Sequence, residues 1–234
     1  MKNLQALIIF GNNQTAQLAK YYLENDEKYR NKYKIIAFTV HKKYRKTDTF
    51  EGLPLVDFET LQDTYPPKGS KLYGDIMLFA PMTGKGLNKI REQVYLQGLD
   101  KGYKFISYIS SKATVLTDKI GDNCFILEDN TIQPFVTIGN NCILWSGNHI
   151  GHHSVIKDNV FLTSHIVVSG NCVIEPYCWL GVNATLRNAI TLAEGTLVAM
   201  SASIVKSTQP YTVYMGVPGK EKGKSDEPKV ANSL

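Results

Sequence analysis

An aliphatic residue recurs at every sixth position over a long stretch of this chain. The fifteen positions are Ile120, Ile126, Ile132, Ile138, Leu144, Ile150, Ile156, Leu162, Val168, Ile174, Leu180, Leu186, Leu192, Val198 and Ile204. An α-helix, with a period of about 3.6, and an ordinary strand, with a period of about two, could not keep this register. A run this long is typical of the hexapeptide repeat of a parallel β-helix, in which six residues form one short strand and one corner. The sequence therefore predicts a β-helix here.

The positions two residues before each aliphatic carry mostly small side chains. All four cysteines of the chain, Cys124, Cys142, Cys172 and Cys178, fall in this phase. A narrow coil interior demands small residues, so we expect the cysteines to be buried, reduced and inert. This interpretation is favoured over disulfides or metal ligation.

A third pattern has a spacing of eighteen. If three hexapeptides complete one triangular coil, Asn123, Asn141 and Asn159 stack in one column. Asparagine is the non-glycine residue that best tolerates a positive φ. The column predicts a corner turn that is repeated coil after coil.

Residues 1–110 follow a different pattern, in which short apolar runs alternate with helix-like stretches. This alternation predicts a small parallel sheet covered by helices. Gly11, Asn12 and Asn13 follow the first strand and open the first helix, where unpaired amides can receive a phosphate. The full glycine-rich dinucleotide fingerprint is absent, so a single nucleotide is favoured over NAD. A lone glycine at such a turn is as often structural as functional.

The charge of the chain is unevenly distributed. The net charge is +5, yet eight basic residues lie between Lys28 and Lys46, whereas residues 113–206 hold four basic against seven acidic residues. Attraction for an anionic ligand is therefore expected in the N-terminal third, unless the basic cluster is only a solvated loop. A nucleic-acid site needs basic residues interleaved with aromatics on one face, an organisation that the sequence does not show, so we expect no nucleic-acid partner. Neither a membrane span nor a cleavable signal is visible, which favours a cytoplasmic protein without a membrane partner.

Three of the five histidines are crowded into HIGHHSVI, residues 149–156. His152 and His153 are predicted at a corner, with Gly170 and Asn171 at the same corner one coil later. An outward imidazole beside an open glycine amide suits proton transfer combined with carbonyl recognition. His149 is expected on a flat side, so a zinc site with His153 could form only across subunits. A lone surface histidine without a role is the alternative interpretation.

The repeats, the N-terminal α/β region and the closing segment VYMGVPGK at 213–220 together resemble the sugar acyltransferases of the left-handed β-helix superfamily. The similarity is to bacterial nucleotide-sugar N-acetyltransferases of the PglD and NeuD type, which act in surface polysaccharide biosynthesis. The resemblance implies a Rossmann-like nucleotide-sugar-binding domain at 1–110 and a left-handed β-helix acyltransferase domain at 111–212. A C-terminal segment and flexible tail would follow at 213–234. It also implies a homotrimer with sites between adjacent subunits.

The resemblance also implies roles for individual residues. His152 matches the family's general base, which an acidic residue usually follows; here His153 follows, and His153 and His149 are candidate supporting groups. Gly170 would receive the thioester carbonyl of acetyl-CoA, and Gly181 and Ala199 would flank its pantetheine arm. The residues implied for the nucleotide are Gly11, Asn12, Asn13, Thr39, Lys42 and Lys43. In relatives an acidic residue follows the second strand, whereas Val40 and His41 stand here.

The activity expected from these features is direct transfer of an acyl group from acetyl-CoA to the amino group of a nucleotide-linked amino-deoxy sugar, with no metal. Three alternatives stay open: a sugar O-acetyltransferase, a zinc-dependent hydratase of the carbonic-anhydrase type, and a nucleotide-sugar sensor without catalysis. Histidine spacing and the N-terminal domain argue against the zinc enzyme, and the corner histidines against the sensor.

Overall fold

A computed structural model describes residues 4–232 of the chain. It divides into two units. The first unit contains the described residues up to Met82 together with Gln93–Ser111. The second contains Thr83–Glu92 together with the described residues from Lys112 onward. The second unit thus takes ten residues from within the region that sequence analysis assigned to the N-terminal domain.

The first unit is an α/β fold built on one sheet. Its elements are β1 Gln5–Phe10, α1 Gln14–Asn25, α2 Glu27–Arg30, β2 Tyr33–Val40, a 3-10 turn Lys42–Tyr44, β3 Thr49–Phe50, β4 Leu53–Asp57, α3 Leu61–Thr64, β5 Ile76–Phe79, the part of α4 Lys89–Asp100 from Gln93 onward, and β6 Lys104–Phe105. The short strand β7 Tyr108–Ile109 follows and is not part of this sheet. The strand order is β3-β4-β2-β1-β5-β6. All pairs are parallel except β3 with β4. The order reverses at β1, and ligands of such sheets bind beyond the carboxyl ends of the strands at that point. The predicted Rossmann-like fold is confirmed.

The core of the first unit lies on the sheet because the strand residues are apolar on both faces. Leu7, Ile8 and Ile9 have no exposed surface. Helix α1 contributes Ala16, Ala19 and Leu23 to this burial, at helical spacing. Fully buried strands of this kind are expected where helices cover a parallel sheet.

The second unit is a left-handed parallel β-helix of two-residue strands. The strands are β8 Thr114–Val115, β9 Phe125–Ile126, β10 Thr131–Ile132, β11 Thr137–Ile138, β12 Ile143–Leu144, β13 His149–Ile150, β14 Val155–Ile156, β15 Phe161–Leu162, β16 Val167–Val168, β17 Val173–Ile174, β18 Trp179–Leu180, β19 Thr185–Leu186, β20 Thr191–Leu192, β21 Leu197–Val198 and β22 Ser203–Ile204. From β9 to β19, each strand pairs in parallel with the strand eighteen residues later, as Ile132 does with Ile150. This register produces three flat faces and confirms the predicted coil of three hexapeptides.

The interior of the β-helix follows the sequence pattern closely. Fourteen of the fifteen periodic aliphatics are buried, and only Ile120, in the first coil, is half-buried. The small residues two positions earlier are also buried, from Cys124 at 0% to Ile190 at 7% exposure. All four cysteines are thiols buried inside the coil, as predicted. Burial raises the pKa of Cys178 to about 12, so this thiol stays protonated and inert.

The corners of the β-helix are made by residues with positive φ. The asparagine corner is the column of Asn123, Asn141 and Asn159, whose φ angles are 54°, 57° and 61°. Asn123 Nδ2 donates to Asn141 Oδ1 at 2.8 Å, and Asn141 Nδ2 donates to Asn159 Oδ1 at 2.7 Å. The predicted corner turn is confirmed, and its side chains form a hydrogen-bonded ladder.

The segment Thr83–Glu92 packs against the β-helix within the second unit. Arg91 is fully buried; its Nη2 donates to the carbonyl of Asn141 at 2.7 Å, and its guanidinium lies 5.7 Å from the centre of the Phe161 ring. Burial lowers the pKa of Arg91 to about 10, which keeps it charged at neutral pH. Glu92 Oε1 accepts from Asn159 Nδ2 and from the Tyr177 hydroxyl, both at 2.8 Å. Glu92 therefore ends the asparagine ladder.

The C-terminal region is more ordered than the sequence suggested. Strand β23 Thr212–Met215 continues one face of the β-helix, β24 Lys220–Lys224 pairs with it in antiparallel fashion, and α5 Pro228–Ala231 follows. The Ser225 side chain is buried and donates to the carbonyl of Gly195. Within the flexible tail expected in 213–234, Lys220–Lys224 are thus paired with β23, and Pro228–Ala231 form a helical turn. Between residues 4 and 232, no helix has the length and apolar character required to cross a bilayer.

Candidate functional site

The histidine corner, defined as Gly151–His153, connects β13 to β14. His153 has a φ of 58°, and the same column holds Phe135, Asn171 and Ala189 at 66°, 59° and 56°. The backbone N–H of His153 donates to Pro134 one coil earlier, and the N–H of Asn171 donates to His152. Backbone stacking at this corner thus matches that at the asparagine corner.

His152 is exposed and is held on three sides. Its backbone N–H donates to Gln133 Oε1 at 2.8 Å, and its Nδ1 lies 3.1 Å from Nδ1 of His153. Its ring covers Gly170, where an added Cβ would lie 2.7 Å from Cε1 of His152. Among residues 4–232, Nε2 of His152 has no hydrogen-bond partner. This nitrogen is therefore available to a ligand.

Gly170 presents an amide beside this imidazole. Its carbonyl accepts from Ala189, but its N–H reaches no acceptor within the described part of the chain. The absence of a Cβ makes room for the His152 ring, since an added Cβ would lie 2.7 Å from its Cε1 and 2.8 Å from its Nε2. An available N–H close to a basic nitrogen is the arrangement that acyl transfer requires.

Gly181 and Ala199 lie elsewhere. Their N–H groups donate to Val198 at 2.8 Å and to Tyr214 at 2.9 Å, and their carbonyls accept from Ala184 and Ala202. They stack on each other at the corner that carries His165, not at the histidine corner. Within one chain the structure therefore does not bring these two residues to His152, and their amides are already engaged.

The other histidines of the second unit lie outside the histidine corner. His149 is half-buried on a flat face between Thr131 and Val167. His165 has a φ of 59° at its own corner, where its ring covers Gly147. No group of three or more His, Cys, Asp or Glu side chains suited to a metal ion occurs in residues 4–232.

The turn after β1 lies at the carboxyl edge of the first unit's sheet. Gly11 has a φ of 128°, and its N–H donates to the carbonyl of Thr39 at 2.8 Å. Asn13 caps α1 by accepting from the N–H of Ala16, and Asn12 Nδ2 donates to the carbonyl of Tyr44. The turns after β1 and β2 are thereby tied together, as a nucleotide site at this edge requires.

The candidate residues after β2 differ in accessibility. Lys42 and Lys43 are exposed, and Lys42 lines a cavity of about 300 Å³ whose other lining residues are Arg45, Lys46, Thr47, Asp48 and Asp57. Thr39, in contrast, is fully buried and its hydroxyl donates to the carbonyl of Val56 at 3.1 Å. A direct ligand contact through the Thr39 side chain is incompatible with this placement, because the hydroxyl ties β2 to β4.

Sequence analysis missed Glu59, which lies just after β4. Its Oε2 accepts the N–H of Lys42 at 2.9 Å, and its Oε1 lies 3.0 Å from Nδ1 of His41. Burial raises the pKa of the Glu59 carboxyl, but these bonds outweigh that effect and the pKa lies below its ordinary value. The structure thus supplies a carboxylate next to the end of β2, where His41 had replaced the expected acid. Only the parallel pairing of β2 with β4 could have revealed it.

Comparisons with known proteins agree with this architecture. Residues 119–152 match the family model "Bacterial transferase hexapeptide (six repeats)". A probable macrolide acetyltransferase of Lysinibacillus sphaericus is 37% identical over 60 residues, which are 25% of this chain and 33% of that protein. An acyl-[acyl-carrier-protein]–UDP-N-acetylglucosamine O-acyltransferase of Gloeothece citriformis is 27% identical over 108 residues, 44% of this chain and 39% of that protein. The chain spans about a third to two fifths of the length of these curated relatives.

Solved structures match over nearly the whole chain. A histidine-to-asparagine mutant of perosamine N-acetyltransferase from Caulobacter crescentus, in complex with CoA and GDP-perosamine, has a TM-score of 0.78 at 20% identity. The match covers 94% of this chain and 97% of that one. The acetyltransferase domain of PglB from Neisseria gonorrhoeae has a TM-score of 0.75 at 18% identity, covering 93% of this chain and 100% of that one. The arrangement of an α/β unit followed by a left-handed β-helix is therefore shared with these proteins.

Proposed function

We propose that this chain is an acetyl-CoA-dependent N-acyltransferase that acts on the amino group of a nucleotide-linked amino-deoxy sugar. The observation that carries the proposal is the pairing of His152 Nε2, which has no partner in residues 4–232, with the available N–H of Gly170 under the same ring. One group can accept a proton from a nucleophile, and the other can donate to a carbonyl oxygen.

His152 acts as the general base. Its Nε2 takes the proton from the sugar amine as the nitrogen attacks the thioester carbonyl, and the Gly170 amide stabilises the negative charge that develops on the oxygen. No covalent intermediate on a cysteine forms, since all four thiols are buried. Holding both substrates in line supplies much of the acceleration, and base assistance adds about 10²- to 10⁴-fold.

The first unit holds the nucleotide. Gly11, Asn12 and Asn13 meet the phosphates at the helix end, and Lys42 and Lys43 add positive charge after β2. Glu59 replaces Thr39 among the candidate nucleotide contacts, because its carboxylate is accessible while the Thr39 hydroxyl is buried. Carboxylates near the end of the second strand bind ribose hydroxyls in folds of this type.

The active species is a homotrimer with sites between adjacent β-helices. Gly181 and Ala199 lie at a different corner from His152 within one chain. They can flank acetyl-CoA bound near His152 only if a neighbouring copy presents them. Since their amides are engaged, they would contact the pantetheine arm by packing alone.

Similar proteins support the choice of nitrogen as acceptor. The perosamine enzyme from Caulobacter crescentus is named as an N-acetyltransferase, and its structure contains CoA and a GDP-linked sugar. That likeness spans both units, whereas the O-acyltransferase of Gloeothece citriformis matches over 44% of this chain.

The test is release of CoA from acetyl-CoA with a panel of nucleotide-linked amino sugars and the matched hydroxy sugars. We expect a thiol signal only with amino sugars, and mass spectrometry should show one added acetyl group on nitrogen. Transfer to hydroxy sugars alone would favour the O-acetyltransferase. Tight binding of a nucleotide sugar without any transfer would contradict the proposal and favour a sensor.

A further inference from the structure

At the histidine corner, the imidazoles of His152 and His153 face each other through their Nδ1 atoms. Nδ1 of His152 and Nδ1 of His153 are 3.1 Å apart, with the ring planes at 85°. A hydrogen bond between two nitrogens needs one N–H and one lone pair, so one Nδ1 donates and the other accepts. Only two arrangements of neutral rings satisfy this requirement, and they differ in what His152 can do.

We infer that His153 is a positioning residue whose Nδ1 accepts from His152 and thereby fixes the His152 tautomer. This inference rests on the proposed function, in which His152 is the base. If His152 donates through Nδ1, its Nε2 carries a lone pair and can accept a proton. If His153 donates instead, His152 carries its proton on Nε2 and cannot act as the base.

The surroundings hold the His153 ring in place. It lies 4.6 Å from the Phe135 ring, with an angle of 35° between the planes. Its backbone has a φ of 58° and is tied to Pro134, so the side chain leaves the corner in a fixed direction. His152 is held by Gln133 below and Gly170 above. Orientation of a catalytic imidazole by a hydrogen bond to its second nitrogen is the task that a carboxylate performs in catalytic triads.

The proton balance of the reaction is consistent with this role. The amine proton moves to Nε2 of His152 as the C–N bond forms, and the C–S bond then breaks to release the CoA thiolate, which takes that proton from His152 and restores its neutral ring. While His152 is an imidazolium, its Nδ1–H donates to the neutral ring of His153. A neutral acceptor stabilises that charge less than a carboxylate does, which makes the partner's identity visible in the pH dependence.

The test uses three substitutions that suit the backbone. Asparagine and aspartate tolerate a positive φ, and the same column already holds Asn171 and Ala189. His153→Asn keeps an acceptor, since Oδ1 takes the place of Nδ1. His153→Ala removes it, and His153→Asp supplies a carboxylate.

Nitrogen-15 NMR of the histidine side chains reports the tautomer without requiring activity. We expect His152 to be protonated on Nδ1 in the parent and in His153→Asn, and on Nε2 in His153→Ala. In the assay, His153→Ala should lose about 10- to 100-fold in kcat, less than the ~10⁴-fold lost with a buried triad carboxylate, with KM unchanged. His153→Asp should keep activity and move the acid limb of the kcat/KM profile to higher pH.

Two results would overturn the inference. One is Nε2 protonation of His152 in the parent protein. The other is a His153→Ala variant with the parent's tautomer and turnover. An inactive parent with Nδ1-protonated His152 would refute the proposed function while supporting the imidazole pair.

Discussion

The asparagine corner and the histidine corner have the same backbone conformation, but their side chains differ in hydrogen bonding and exposure. Both place a residue of positive φ at each coil and bind it to the carbonyl one coil earlier, as Asn159 binds Asn140 and Asn171 binds His152. At the asparagine corner the side chains then bond to one another and end on Glu92. At the histidine corner the imidazoles bond to each other, and Nε2 of His152 has no hydrogen-bond partner within residues 4–232.

The difference shows how a repetitive scaffold can carry a single site. The β-helix needs only a residue that tolerates the corner conformation, and this requirement leaves the side chain open to selection for another purpose. Buried, mutually satisfied amides stabilise the fold. Exposed imidazoles beside an available amide contribute little to stability and are suited to catalysis.

The largest effect should follow from His152→Ala. Removing the base should lower kcat by about 10²- to 10⁴-fold, because proton removal from the amine loses its assistance. The thermal midpoint should change little, since the side chain is exposed. The assay is CoA release at saturating substrates.

Asp158 provides the matched control for this variant. It occupies the same place in its turn as His152, one hexapeptide later, and accepts the N–H of Asn140 at 2.7 Å. Asp158→Ala should retain the parent's turnover. Equal losses of kcat in His152→Ala and Asp158→Ala would mean that the two corners do not differ in function.

A smaller loss of activity is expected for Gly170→Ala. The new Cβ would lie 2.7 Å from the His152 ring and would push this exposed side chain aside. Displacement by about 1 Å can cost up to about 10²-fold, so we expect a loss of roughly 10- to 100-fold in kcat with a nearly unchanged thermal midpoint.

Gly151→Ala distinguishes misplacement from unfolding. Its Cβ would meet the backbone of Ser169 and Gly170 at 2.5 to 2.6 Å, which cannot move independently. This variant should lower the thermal midpoint. If Gly170→Ala lowered it as much, the ring displacement would not explain its loss of turnover.

The sequence predicted the features that depend on local periodicity and missed those that depend on packing. The period of six determines which residues enter the coil, so the interior, the cysteines and the corners could be assigned from residue numbers. The contacts of Arg91 and Glu92 with the β-helix could not be predicted, because LNKIREQVYLQG has the pattern of an ordinary surface helix. Glu59 meets Lys42 only through strand pairing, and β24 exists only because β23 offers it an edge.

At the asparagine corner, Asn141→Ala should reduce stability rather than activity. The substitution removes two buried hydrogen bonds, those with Asn123 and Asn159, at a cost of about 2 to 4 kcal/mol. For a chain of this size we expect the thermal midpoint to fall by about 5 to 15 °C. Circular dichroism during heating provides the measurement.

Asn171→Ala measures the contribution of the backbone alone. Asn171 has a φ of 59° at the histidine corner, and its side chain makes no hydrogen bond with other residues of the range 4–232. The loss of asparagine's tolerance for this φ should cost about 1 kcal/mol. If the thermal midpoints of Asn141→Ala and Asn171→Ala fell by the same amount, the side-chain ladder would add no stability beyond that of the corner turn.

The smallest effect should appear at alkaline pH, where Tyr177 binds the end of the ladder. Burial, together with the hydrogen bond to Glu92 and its charge, raises the pKa of Tyr177 from 10.0 to about 12. A pKa raised by folding contributes stability that is complete below pH 10 and is lost as the pH rises to about 12. Tyr177→Phe should therefore lessen the fall in thermal midpoint between pH 9 and pH 11, by on the order of 1 °C since the ring is partly exposed.

The exposed Tyr21 serves as the control, and Tyr21→Phe should leave this difference unchanged. An unaltered pH dependence in Tyr177→Phe would show that Glu92 ends the ladder through Asn159 alone.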